Sequence, residues 1–333
     1  MRVKGFIIFL IAVLLGTLTG CGRQTDPPTG EAKKLTKVTV MIDWVPNTNH
    51  TGLYVAKDKG FYQEQGLEVE ILQPAESGAA QLVASGKAQF GVSYQEEVTQ
   101  ARTSGIPLVS LAAVIQHNTS VFASKKELNI TRPKAFEGKR YGSWGSPMEE
   151  AVIKSIMQKD GGDFQKVKFI NVGTADFLTS INKDVDFYWI FQGWDGIQAR
   201  LKNVPINEVV LKDIDPALDY YTPVLITNEA LINNNPELVK AFMKATSQGY
   251  EFTIKNPEEA GQILLANAPE TNKDLVMESQ KWLSGKYQED AAQWGLQKRE
   301  VWERYAKWMY DRGLITQMID VDQAFTNEFL PQL

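Results

Sequence analysis

Cysteine and histidine are scarce. The 333-residue chain holds a single Cys, Cys21, and two His, His50 and His117. One thiol excludes a disulfide framework and any multi-thiolate metal site, and two imidazoles exclude a His-rich metal centre. No block of Lys or Arg is present to track a phosphate backbone, and 35 basic against 40 acidic residues leave a net charge of −5, which makes nucleic acid a poor partner. Long apolar runs are also lacking. The one at residues 6–18 is too short to cross a bilayer, which takes about 20 helical residues. What remains is globular in composition: 43% apolar and 23% charged residues with 25 Gly and 14 Pro exclude wholesale disorder and a fibrous repeat. A chain of this length predicts two domains, because single cores stop growing near about 250–300 residues.

Arg2 and Lys4 precede the apolar run, the layout of a secretory signal. Leu18-Thr19-Gly20-Cys21 closes it and resembles the bacterial lipobox, which implies cleavage before Cys21 and acylation of its thiol. Two or three acyl chains hold a protein on a membrane stably. The expectation is a lipoprotein signal peptide over 1–20, lipidation at Cys21, and a mature protein outside the cytoplasm, anchored to the cell membrane. Residues 21–36 carry Pro27-Pro28 and Gly30 without apolar periodicity and read as a flexible tether.

From Val38 onward, β-rich runs at 38–44, 67–72 and 88–94 alternate with amphipathic segments at 51–65 and 77–85. A helix at 95–104 and strands at 108–115 and 119–125 follow. The rhythm then restarts, with strands at 138–144, 166–173, 184–192 and 207–211 separated by helices at 147–159, 174–182 and 193–202. Such alternation predicts parallel strands crossed over by helices. Beyond a strand at 224–228 the pattern is helical: 236–254, 257–267, 272–283, 290–311 and 321–328. Asn235-Pro236 and Asn256-Pro257 mark two of the starts, because Asn caps and Pro suits the first turn. The economical arrangement is an α/β fold of two lobes. Residues 37–123 and 229–333 form lobe one, with the helical C-terminal tail packed on it, and residues 124–228 form lobe two. Two crossings, near 122–127 and 222–228, make a hinge that closes around a ligand.

Asp43-Trp44-Val45-Pro46-Asn47-Thr48-Asn49-His50-Thr51-Gly52, then Gly60-Phe61-Tyr62, Gly66-Leu67-Glu68-Val69, Ser85-Gly86-Lys87-Ala88-Gln89-Phe90-Gly91, Gly105-Ile106-Pro107 and Gly138-Lys139-Arg140-Tyr141-Gly142 occur in this order. Together they resemble a class of periplasmic-type binding proteins that serve ABC importers of nitrate, alkanesulfonates and thiamin pyrimidine precursors. The opening motif is most similar to the pyrimidine subgroup, whose ligands include formylaminopyrimidine and hydroxymethylpyrimidine. The resemblance implies a type II binding-protein fold, a membrane permease as partner, a small aminopyrimidine as ligand, no cofactor and a monomer. The alternative within the class is an alkanesulfonate or nitrate receptor. A second alternative is the pyridoxal-phosphate-dependent pyrimidine precursor synthase that shares the fold. In that enzyme a Lys and a His occupy the segment corresponding to Gly91-Val92-Ser93-Tyr94-Gln95-Glu96-Glu97, where this chain has Ser93 and Glu97. Ser forms no Schiff base and Glu donates no imidazole nitrogen, which argues for binding without chemistry.

Ligands of open α/β sheets bind beyond the carboxyl ends of the strands, so the candidate residues are those at strand exits. Trp44 and Asn47 follow the first strand, and His50 caps or packs the next helix. Tyr94 and Glu97 follow the third strand, Glu97 facing a ring amine and Glu96 facing solvent. Trp144 and Ser146 lie in a Gly/Ser turn that opens a helix, whose free N–H groups suit an anion or a carbonyl oxygen. Tyr188, Gln192, Trp194 and Asp195 belong to the aromatic run at 187–195, where aromatic faces from opposite lobes can sandwich a planar ring. Trp282, Trp294, Trp302, Tyr305 and Trp308 recur at helical spacing and read as core.

Overall fold

The computed structural model describes residues 34–73, 78–173 and 175–332. The expected signal peptide, Cys21 and the tether up to residue 33 lie outside them. In chain order the strands are β1 (Thr36–Met41), β2 (Leu67–Leu72), β3 (Phe90–Ser93), β4 (Leu108–Ala113), β5 (Ser120–Lys125), β6 (Arg140–Ser143), β7 (Lys168–Asn171), β8 (Phe187–Phe191), β9 (Ile206–Val210) and β10 (Val224–Asn228). Helices α1 (Thr51–Asp58), α2 (Phe61–Glu64), α3 (Ala79–Ala84) and α4 (Gln95–Thr103) connect the early strands. α5 (Pro147–Lys159), α6 (Phe177–Ile181), α7 (Ile197–Leu201) and α8 (Leu211–Ile214) accompany the middle ones. The tail holds α9 (Glu229–Asn234), α10 (Pro236–Lys255), α11 (Pro257–Asn267), α12 (Lys273–Leu283), α13 (Arg299–Asp311) and α14 (Val321–Ala324).

The strands form two five-stranded sheets of matching design, β2-β1-β3-β10-β4 and β7-β6-β8-β5-β9. β1 pairs in parallel with β2 and β3, as β6 does with β7 and β8. The fourth position in each sheet is an antiparallel strand delivered by a crossing: β10 between β3 and β4, β5 between β8 and β9. The restart of the strand-helix rhythm is thus a second copy of the same winding. The chain passes between sheets at residues 114–119 and 211–223, not near 122–127 and 222–228. Strand 119–125 pairs with β8 and β9, and 224–228 returns to the first sheet, because pairing is a long-range choice that strand periodicity does not encode.

Central strands bury both faces. In β8, Phe187 and Trp189 pack with Phe122, Phe136 and Tyr141, while Tyr188 and Ile190 join Val121, Ala123 and Phe177 on the other side. α10 lays Val239, Phe242 and Met243 on the first sheet, with Phe242 stacked on Phe90. Asn235 caps it by accepting from Leu238 N. α13 reaches further. Trp302 packs with Val98 and Val224 of the first half, whereas Tyr305, Trp308 and Met309 pack with Met148 and Val152 of the second. The tail therefore covers the first sheet and also bridges to the second.

Four helices differ from expectation. The segment 51–65 breaks at Gly60, whose φ of 79° ends α1 before α2 starts. α13 begins only at Arg299, because residues 284–298 turn so that Gly295 O accepts from Ala113 N of β4 at 3.0 Å. α14 stops at Ala324, where Phe325 becomes extended and stacks on Trp302. Residues 192–196 form a π-helical turn ahead of α7. Among the described residues no helix is long and apolar enough to cross a membrane.

α1 and α10 cross where both carry glycine. A Cβ on Gly249 would lie 2.1 Å from Gly52 O, and one on Gly52 would lie 2.3 Å from Tyr250 Cγ. Neither backbone nor stacked ring gives way cheaply, so Gly249→Ala is expected to destabilise the fold by about 1–3 kcal/mol. A denaturant midpoint equal to the wild type's would contradict the packing.

Candidate ligand-binding site

The strand order reverses between β1 and β3 in the first sheet and between β6 and β8 in the second, and such switch points are where open sheets receive ligands. A cavity of about 220 Å³ lies at these exits. Asp43, Trp44, Asn47, Thr48 and Asn49 line it after β1, Tyr94 after β3, and Phe191, Gly193 and Trp194 at the end of β8. Ile115, Thr119, Thr222 and Pro223 of the two crossings and Leu283 of α12 complete the wall. Of these lining residues only Asp43 is charged.

Asp43 is held by two side chains. Tyr94 OH donates to Oδ2 at 2.6 Å, and His50 Nε2 lies 2.6 Å from Oδ1. His50 Nδ1 accepts the backbone N–H of Asn47, so the ring donates to Asp43 through Nε2. Burial pushes the Asp43 carboxyl up, but the hydrogen bonds from His50 and Tyr94 outweigh it and hold the carboxyl below its ordinary range. Each carboxylate oxygen keeps a lone pair. The result is a fixed anionic acceptor in an otherwise uncharged, aromatic-rich pocket.

Four of the ten expected residues meet at this cavity: Trp44, Asn47, Tyr94 and Trp194. Trp44 is 52% exposed, so its ring is free to cover a ligand. Asn47 is committed to its own loop, with Nδ2 donating to Val45 O and Oδ1 accepting from Asn49 N. The other six stand elsewhere. Glu97 accepts from Ser93 Oγ at 2.5 Å, and burial pushes its carboxyl up. Glu96 is not solvated: its Oε2 is buried without a hydrogen-bond partner, and burial pushes the carboxyl up to about 8. Tyr188 is a core side chain whose OH donates to Ala175 O at 3.1 Å. Gln192 donates to Glu208 Oε2 at 2.8 Å. Asp195 Oδ2 faces Phe191 N, and burial pushes its carboxyl up to about 6. Trp144 is 43% exposed and meets Trp189 edge-on, outside the cavity lining.

The helix start at Ser146 is already filled. Glu149, fully buried, accepts from Trp144 N, Gly145 N and Ser146 N and from the hydroxyls of Tyr141 and Ser143. An internal carboxylate occupies the cradle that an anionic ligand would take. Ser146-Pro147-Met148-Glu149 has the spacing of a capping box, the sequence signal for this arrangement. Asp43 was not among the expected residues, although an acid beside Trp44 at the first strand exit was a signal that could have found it. Phe191 continues the aromatic run, while Thr119, Thr222, Pro223 and Leu283 carried no local signal.

A family profile described as NMT1/THI5-like matches residues 47–260. The chain belongs to the NMT1/THI5-like family. It is 30% identical to a formylaminopyrimidine-binding protein of Halalkalibacterium halodurans, over 96% of this chain and 98% of that one. Identity is 27% to a riboflavin-binding protein, RibY, of Chloroflexus aurantiacus, with 99% of each chain covered. It is 25% to a 4-amino-5-hydroxymethyl-2-methylpyrimidine phosphate synthase of Legionella pneumophila, with 89% and 92% covered. The periplasmic aliphatic sulphonate binding protein SsuA of Escherichia coli superposes with a TM-score of 0.69 at 14% identity, covering 89% of this chain and 93% of that one. The last comparison shows the two-lobe periplasmic-binding-protein fold. Within this NMT1/THI5-like chain the matched span includes Tyr94, Trp194 and both crossings, while Asp43 and Trp44 precede it.

Proposed function

We propose that the protein is the solute receptor of an ABC importer for a thiamin-derived aminopyrimidine, formylaminopyrimidine or hydroxymethylpyrimidine. It works outside the cytoplasm, tethered to the membrane through a lipidated Cys21, and hands its cargo to a permease without changing it. The observation that carries this reading is the single ionised acceptor, Asp43, in an uncharged aromatic pocket. An exocyclic amine donates to that carboxylate, and Trp44 and Trp194 stack on the ring, adding about 0.5–1.5 kcal/mol per ring pair beyond area burial. The cavity of about 220 Å³ falls below the ~300–1,000 Å³ typical of drug-sized ligands, which favours one ring with short substituents over a fused flavin.

Anion capture is opposed by the same features. No Lys or Arg lines the cavity, Asp43 repels a sulfonate or nitrate, and Glu149 holds the N–H groups at the start of α5. The synthase reading is opposed by Ser93 and Glu97, which are hydrogen-bonded to one another where pyridoxal phosphate needs a Lys and the chemistry needs a His. The residues present do not fit that cofactor.

Isothermal titration against formylaminopyrimidine, hydroxymethylpyrimidine, nitrate and taurine tests the reading. Heat is expected with the pyrimidines alone, and tight binding of only an anion overturns it. Trp44→Ala and Trp194→Ala should each weaken pyrimidine binding by about 5- to 30-fold while leaving the fold intact, a range equivalent to about 1–2 kcal/mol.

A further inference from the structure

The two halves of the cleft touch through more than their crossings. Ser279, in α12 and fully buried, lies 2.6 Å from Thr48 Oγ1 in the loop after β1. Its own hydroxyl donates to Gly193 O in the π-helical turn after β8. A serine has one proton to give. With that proton committed to Gly193, Thr48 is the donor to Ser279, and the three residues form a directed chain from the first half to the second. The surroundings hold both ends. Tyr287 OH donates to Thr48 O at 2.5 Å, and Gly193 is pressed against Trp282, so that a Cβ there would lie 3.0 Å from the indole. π-helical turns are rare and recur at functional sites, and this one turns Gly193 O toward α12 while Trp194 lines the cavity.

We infer that Ser279 is the closure latch of this cleft, a positioning residue that ties the two ligand-bearing loops together without touching the ligand. Opening the cleft separates Thr48 from Gly193 and breaks the chain at Ser279. Closing it restores the buried bond from Ser279 to Gly193 O, with Thr48 orienting the serine hydroxyl. The latch sets the fraction of closed protein, and apparent affinity scales with that fraction. The role in ligand retention rests on the receptor reading above, whereas the closure itself does not.

Small-angle scattering of the ligand-free full chain, with dissociation kinetics of formylaminopyrimidine, tests this. Ser279→Ala and Thr48→Val are expected to raise the radius of gyration with unchanged circular dichroism, and Thr48→Ser, which keeps the hydroxyl, to retain the wild-type radius. In Ser279→Ala the pyrimidine should leave about 10-fold faster, in line with the loss of one buried bond, with an unchanged association rate. Unchanged scattering together with unchanged dissociation overturns the latch. A Thr48→Ser protein as expanded as Thr48→Val also overturns it. If the wild type binds no pyrimidine, the receptor reading fails by itself, and scattering alone decides the latch.

Discussion

Asp43→Asn is expected to weaken formylaminopyrimidine binding by about 10- to 100-fold. Hydrogen bonds to a charged group contribute about 1.5–3 kcal/mol, and this one acts where burial has removed competing water. The carboxylate is ionised because His50 and Tyr94 outweigh its desolvation, so the ligand finds the charge already in place. Asn keeps the size, loses the charge, and turns a donor toward one of two groups that are themselves donors. Calorimetry at neutral pH should show the loss, and a dissociation constant within twofold of the wild type's would remove Asp43 from the site. The same logic gives a pH dependence. Affinity falls as acid protonates Asp43, at a pH below the ordinary carboxylate range.

Glu96→Gln has the second large effect, on stability. Its carboxyl is pushed up from 4.5 to about 8, and the cause is burial, with the Glu97 charge adding to it. The folded protein thus keeps a proton that the unfolded chain releases near 4.5. Between about 4.5 and 8 the native state binds more protons, so each step up in pH lowers stability, and above about 8 the whole penalty persists. A shift of this size corresponds to a few kcal/mol at pH 9. Glu96→Gln cannot ionise. It should melt like the wild type near pH 4, exceed it at pH 9, and show a flatter profile between. Parallel stability curves for the two proteins would show that Glu96 is not desolvated.

The alternating strands, the second winding and the capped start of α10 were legible because each is a local pattern. So were Trp44, Tyr94 and Trp194, since a strand exit is visible wherever a β-rich run meets a turn. Tyr188 and Gln192 show the limit of that rule. Within an aromatic run the periodicity tells which residues share a face, but not which face meets the cleft, and Tyr188 faced the core. Ser146 was ambiguous for a different reason. The N–H groups that bind an anion are those that a carboxylate three residues on can satisfy, and only the fold shows that Glu149 does so. Ser279 was out of reach altogether, because its partners Thr48 and Gly193 are brought to it by the packing of a tail helix.

The exchange of one strand between the sheets bears on how the molecule is made. β10 sits between β3 and β4, so the first sheet stays open until residue 224 has emerged from the ribosome. The second sheet likewise waits for β9 to flank β5. A chain emerging N-terminus first therefore has neither sheet complete through most of its synthesis, and final assembly comes once the last third has arrived.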